Sequence, residues 1–148
     1  MTPSLLDTNV LIALLWPSHL DHETAVRWFA ANRSKGWATC PVTEAGFVRI
    51  VSNPAFSRDA VSPREATGLL AANTSAADHV FWAADRPFAE ATAFADARLA
   101  GHRQVTDAYL LGLAVAHGGR VATMDRGLAA LTREGSEERA AIVIVRSV

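Results

Sequence analysis

Short, unbroken apolar runs alternate with helical stretches along this chain, and that alternation narrows the fold more than any other feature. Leu5-Leu6 and the runs 37–40, 79–82, 121–124 and 141–145 read as strands. They lack the apolar–polar alternation of a half-exposed strand, as expected where both faces of a sheet are covered. Between them lie segments with helical spacing at 10–15 and 21–31, then helices opening at Pro41, Ser62 and Pro87, the last running to Leu99. A further apolar helix is expected at 108–116 and a short one at 127–131. Strand–helix alternation implies an α/β fold with a mostly parallel central sheet of about five short strands.

Local signals fix the helix ends. Asp7-Thr8-Asn9 is a turn and cap cluster, and Pro17 stops the helix that follows. Ser62-Pro63-Arg64-Glu65 combines a serine cap, a first-turn proline and a glutamate three residues on. Thr106-Asp107 caps the 108–116 helix, and Gly118-Gly119 closes it. The interval 56–99 is mostly helical and predicts a projecting helical hairpin. Trp28 and Trp37 are assigned to the core, whereas Trp16, just before Pro17, is expected at the surface.

At 148 residues the chain is expected to be a single domain, 1–148, with one buried core. Cys40 is the only cysteine, which excludes an internal disulfide and a cysteine-based zinc site and suits a reducing cytoplasm. The apolar run at 10–16 is too short to span a bilayer, so neither a membrane helix nor a signal peptide is expected. The net charge of −1 carries no basic signature of nucleic-acid binding.

Four acids bear the functional signal. Asp7 and Asp125 follow the first and fourth strands, and Glu44 and Asp107 fall in first turns of helices. Each has an ordinary structural role as a cap or a first-turn acid. In a parallel sheet, however, strand ends and the helix starts that follow share one rim, so four residues distant in sequence can meet. Converging carboxylates repel one another unless a cation compensates. All-oxygen ligands favour Mg²⁺, with Mn²⁺ next, over zinc. That chemistry suits hydrolysis of a phosphodiester by metal-activated water. Setting these four aside leaves 14 basic residues against 11 of the 15 acidic ones, a mildly cationic remainder made almost wholly of arginine. Arg49, five residues after Glu44, is expected either to pair with one of the acids or to touch phosphate.

At these same segments the chain resembles the PIN-domain ribonucleases, in particular the VapC-type toxins of bacterial toxin–antitoxin pairs. The matching pieces are Leu5-Leu6-Asp7-Thr8-Asn9-Val10-Leu11, Thr43-Glu44-Ala45-Gly46-Phe47-Val48-Arg49, Val105-Thr106-Asp107-Ala108-Tyr109-Leu110 and Thr123-Met124-Asp125. The resemblance implies a PIN-like α/β/α sandwich. It implies that Asp7 and Asp107 are the principal metal ligands, Glu44 the third acid and Asp125 the fourth, with Thr8, Asn9 and Thr123 lining the site. It also implies an RNA substrate such as tRNA or ribosomal RNA, arrest of translation, a small cognate antitoxin and a homodimer. Residues 56–103 match least, which places substrate choice there, and exposed Trp16 suits a dimer or antitoxin contact.

Other functions fit the residues less well. A haloacid-dehalogenase-like phosphatase needs a second acid two residues after the first aspartate, where Asn9 stands, and a late lysine, whereas Lys35 is the only lysine. A receiver domain fails on the same lysine. A non-catalytic α/β binding module and a PIN nuclease of RNA maturation stay open, and the short chain favours the toxin.

Overall fold

A computed structural model describes residues 2–146. Five strands, β1 (Ser4–Leu6), β2 (Trp37–Thr39), β3 (His79–Phe81), β4 (Arg120–Thr123) and β5 (Ile142–Ile144), form one sheet in the order β3-β2-β1-β4-β5. Every neighbouring pair is parallel. The helices are α1 (Thr8–Leu15), α2 (His22–Asn32), α3 (Pro41–Val51), α4 (Pro63–Thr74), α5 (Phe88–Ala91), α6 (Val105–Ala116) and α7 (Glu137–Ala140).

The strands are apolar without alternation because successive side chains feed two different cores. Leu5 of β1, Ala38 of β2 and Val121 of β4 pack with α6 residues Leu110, Leu111 and Leu113. Leu6, Trp37 and Ala122, their immediate neighbours, pack on the opposite face with α1, with Phe47 and Val51 of α3, and with Leu70 of α4. β1 and β2 are buried throughout, whereas the edge strands β3 and β5 are partly open.

The chain builds β2 and β3 to one side of β1, then crosses to place β4 and β5 on the other. The carboxyl ends of β1 and β4 therefore flank the point where strand order reverses, the usual ligand crevice of an open parallel sheet. Among the described residues, no helix is long and apolar enough to cross a membrane.

Four expectations need correction. The helix expected from Pro87 to Leu99 is broken into α5 and a 3-10 turn at Ala93–Ala95. Ala91 and Ala95 are both buried, and Ala95 joins the α6 core, so packing against α6 bends the chain where propensity alone would extend the helix. The interval 56–99 is accordingly not a free helical hairpin, because it contributes β3 to the sheet edge. Trp16 is buried, with its ring edge-on to Phe56 at 5.5 Å between centroids. The helix bearing Asp107 starts earlier than its expected cap: α6 begins at Val105, and Asp107 lies inside its first turn.

Candidate active site at the carboxyl rim of the sheet

Asp7 follows β1 directly and caps α1. Its side chain is only 8% exposed. One carboxylate oxygen, Oδ1, accepts the Thr8 N–H at 2.7 Å, and Oδ2 accepts the Thr123 hydroxyl at 2.7 Å. Burial raises its pKa, the two hydrogen bonds oppose that rise, and the Asp125 charge adds to it.

Thr123, the last residue of β4, is the hub. Its hydroxyl donates to Asp7 and accepts from the Asp125 N–H at 3.0 Å and from Asn9 Nδ2 at 3.4 Å. One donor and two lone pairs are thereby all engaged. Asn9 Oδ1 in turn accepts the Met124 N–H at 3.3 Å. The turn after β1 is thus laced to the turn after β4. Asp125 caps the 3-10 segment Arg126–Leu131, its Oδ1 accepting the Gly127 N–H at 2.8 Å.

Asp107 arrives from α6 on the other side of the rim. It is half-buried, and its pKa is pushed up to about 6, first by desolvation and then by the charges of Asp7 and Asp125, with a hydrogen bond shared with Asp125. Three of the four expected acids therefore converge across the β1–β4 crevice.

Glu44 sits apart from that trio, on the β2 side, and is not among the charges acting on Asp7 or Asp107. Its Oε2 accepts the Thr39 hydroxyl at 2.6 Å, and the same hydroxyl lies 2.7 Å from His79 Nε2. Because the threonine proton goes to the carboxylate, His79 must donate from Nε2. Burial lowers the His79 pKa, partly offset by the Glu44 charge. Sequence reading missed this Glu44–Thr39–His79 chain. Its only trace in the sequence is Thr39 at a strand end, and its partner stands 40 residues away.

The remaining expected residues divide. Thr8 contributes its main-chain N–H, and its side chain packs over α3 where Gly46 leaves room: a β-carbon there would lie 2.8 Å from Thr8 Oγ1. Arg49 is exposed in the last turn of α3, about 7.5 Å further along the axis than Glu44. Among the described residues it has no acid within ion-pair distance.

The donor set is oxygen throughout, and burial, with the neighbouring carboxylate charges added to it, raises the pKa values of Asp7 and Asp107, a cost that a hard divalent cation would relieve. Among the described residues no three His, Cys, Asp or Glu side chains are grouped so as to hold a metal ion. The oxygens fit such an ion by type and by charge.

A family model described as the PIN domain matches residues 4–134. Among characterised relatives, Ribonuclease VapC39 of Mycobacterium tuberculosis is 48% identical over 126 residues, covering 85% of this chain and 91% of that protein. Ribonuclease VapC44 of the same organism is 41% identical over 136 residues, 92% and 95% of the two chains. Ribonuclease VapC38, also from Mycobacterium tuberculosis, is 42% identical over 131 residues, 88% and 91%.

Proposed function

The chain belongs to the PIN-domain family, and from that premise we propose that it is a metal-dependent endoribonuclease, the toxin of a type II toxin–antitoxin pair. The carrying observation is the convergence of Asp7, Asp107 and Asp125 at the β1–β4 crevice. The names of its relatives supply the substrate class, RNA. In this reading 1–148 is one PIN domain that acts in the cytoplasm as a homodimer. It cuts tRNA or ribosomal RNA, stops translation and is restrained by a small antitoxin.

Asp7, Asp107 and Asp125 would hold Mg²⁺ or Mn²⁺, with Glu44 joining them from the β2 side. The bound ion would lower the pKa of an attacking water and neutralise charge on the phosphoryl oxygens. The chain's own residues make that possible by holding the carboxylates in place. The Thr123 hydroxyl fixes the Asp7 carboxylate, Asn9 ties the two rim turns together, and Thr39 orients Glu44. No side-chain nucleophile is required.

The test is incubation of the purified protein with cellular RNA. Discrete cuts are expected with Mg²⁺ or Mn²⁺ and none with a chelator. Cutting that survives chelation would remove the metal role, and no cutting in any divalent salt would remove the nuclease. A finer prediction concerns Thr123→Val, which keeps the shape but deletes the hydroxyl that Asp7, Asn9 and Asp125 share. Loss of a group orienting a metal-binding carboxylate typically costs 10–100-fold in metal affinity or activity. The Mg²⁺ concentration for half-maximal cleavage is expected to rise by about that factor, and an unchanged metal dependence would refute the orienting role.

A further inference from the structure

A second cleft opens beside the acids, and we propose that it is a phosphate-binding subsite gripping the RNA backbone next to the scissile bond. This rests on the nuclease reading and adds residues to it. The cleft has a volume of about 270 Å³ and is lined by Asp21, Thr24, Met124, Arg126, Val145 and Arg146. That is room for roughly nine waters at about 30 Å³ each, enough for a phosphate with part of its sugar.

Its floor is continuous with the candidate active site. The Met124 N–H donates to Asn9, and the Val145 N–H donates to the Thr123 carbonyl at 2.8 Å. Arg126 directly follows Asp125, so one wall of the cleft begins where the acid cluster ends.

Its charge is the reverse of the acid cluster's. Arg126 and Arg146 are exposed, and neither has a carboxylate within ion-pair distance among the described residues. Among the described residues Asp21 is the one acid in the lining, against two arginines. Guanidinium forks match phosphate oxygens two at a time. Among the described residues no aromatic ring lines the cleft, so they offer no platform on which a base could stack. Contacts of this kind position a strand without reading its sequence. They also answer an electrostatic problem of the site, where the carboxylates repel the polyanion that must approach them.

The experiment measures binding of a fluorescent single-stranded oligoribonucleotide by anisotropy across a salt series. It uses Asp107→Asn protein so that the RNA binds without being cut. Adding Arg126→Ala and Arg146→Ala is expected to flatten the slope of log affinity against log salt by about 1.4, two single-strand phosphate contacts at about 0.7 each. The loss should be the same for oligo(U) and oligo(A), and Arg→Lys at both positions should restore most of the slope. Arg120→Ala, which removes an exposed charge at the opposite end of β4, should leave the slope unchanged. Thermal melts matching the parent would show that each variant folds. An unchanged slope in the double alanine variant, or an equal loss from Arg120→Ala, would overturn the subsite. If the wild type fails to cut RNA in divalent salt, the nuclease reading falls instead, whatever the slopes do.

Discussion

Asp107→Asn is expected to lower RNA cleavage by on the order of 10² to 10³-fold or more, the scale of losing one preorganised charge contact at a reacting centre, while leaving the protein about as heat-stable. The two halves of this result come from the same crowding. Asp107 is half-buried beside Asp7 and Asp125, and its folded pKa of about 6 lies above the ordinary 3.8. Folding therefore disfavours its ionised form. That cost is absent below about pH 4, grows as pH rises toward 6, and is complete above it. Asparagine removes the charge and the cost together. Solvent screening at a half-open site keeps the gain to about 1 kcal/mol or less. Loss of an acid from the first turn of α6 subtracts some 0.3–1 kcal/mol from it. The melting temperatures of wild type and variant, measured without divalent cation, should thus lie close together, with the balance moving toward the variant as pH rises from 4 through 6. Added Mg²⁺ should raise the wild-type melting point by mass action and the variant's far less. A variant that cuts RNA at the wild-type rate, or that melts well below it at neutral pH, would contradict this account of the site.

Gly112→Ala should destabilise the fold by about 3 kcal/mol, at the upper end for overpacking. Gly112 lies midway along α6, and a β-carbon there would meet the main chain of Ala91 in α5, lying 2.7 Å from its carbonyl carbon and closer still to the oxygen. Backbone cannot swing aside as a side chain can, so α5 and α6 must separate. Alanine's better helix propensity, worth about 1 kcal/mol, works in the opposite direction and is too small to win. At about 2–4 °C per kcal/mol for a chain near this length, the melting point should fall by roughly 6–12 °C. Gly68→Ala is the matching control. Gly68 is exposed in α4 with nothing within 4 Å of an added β-carbon, so the same substitution there should stabilise by up to about 1 kcal/mol. Two alanines that shifted stability in the same direction would show that propensity, not the α5–α6 approach, governs both positions.

The parts of the fold legible in the sequence were those whose cause is local. β1 and β4 are apolar runs ending at or near an acid, and α1, α3 and α4 open on recognisable caps or prolines. Strand ends and helix starts sharing a rim then brought Asp7, Asp107 and Asp125 within reach of one another. The misread parts depended on distant partners. Nothing near Ala91 announces that Gly112 will let it sit against α6, so the break after α5 was invisible. Trp16 looked exposed because Phe56, which covers it, comes 40 residues later. Glu44 was correctly put in a first turn, but its hydrogen-bonding to Thr39, and through it to His79, depends on the β2–β3 pairing. The early start of α6 did have a nearby signal: Gln104 Oε1 accepts the N–H groups of Ala100 and Gly101 and organises the turn into the helix.

β1 sorts neighbouring leucines to opposite sides, Leu5 into one core and Leu6 into the other. A slip of one residue would turn both the wrong way at once, so the strand is locked against sliding from above and below. Asp7 is the next link in the chain. The accuracy with which it meets its partners is inherited from oily contacts behind it, and ångström-scale chemistry at the rim would degrade first through careless repacking of residues that never see the substrate.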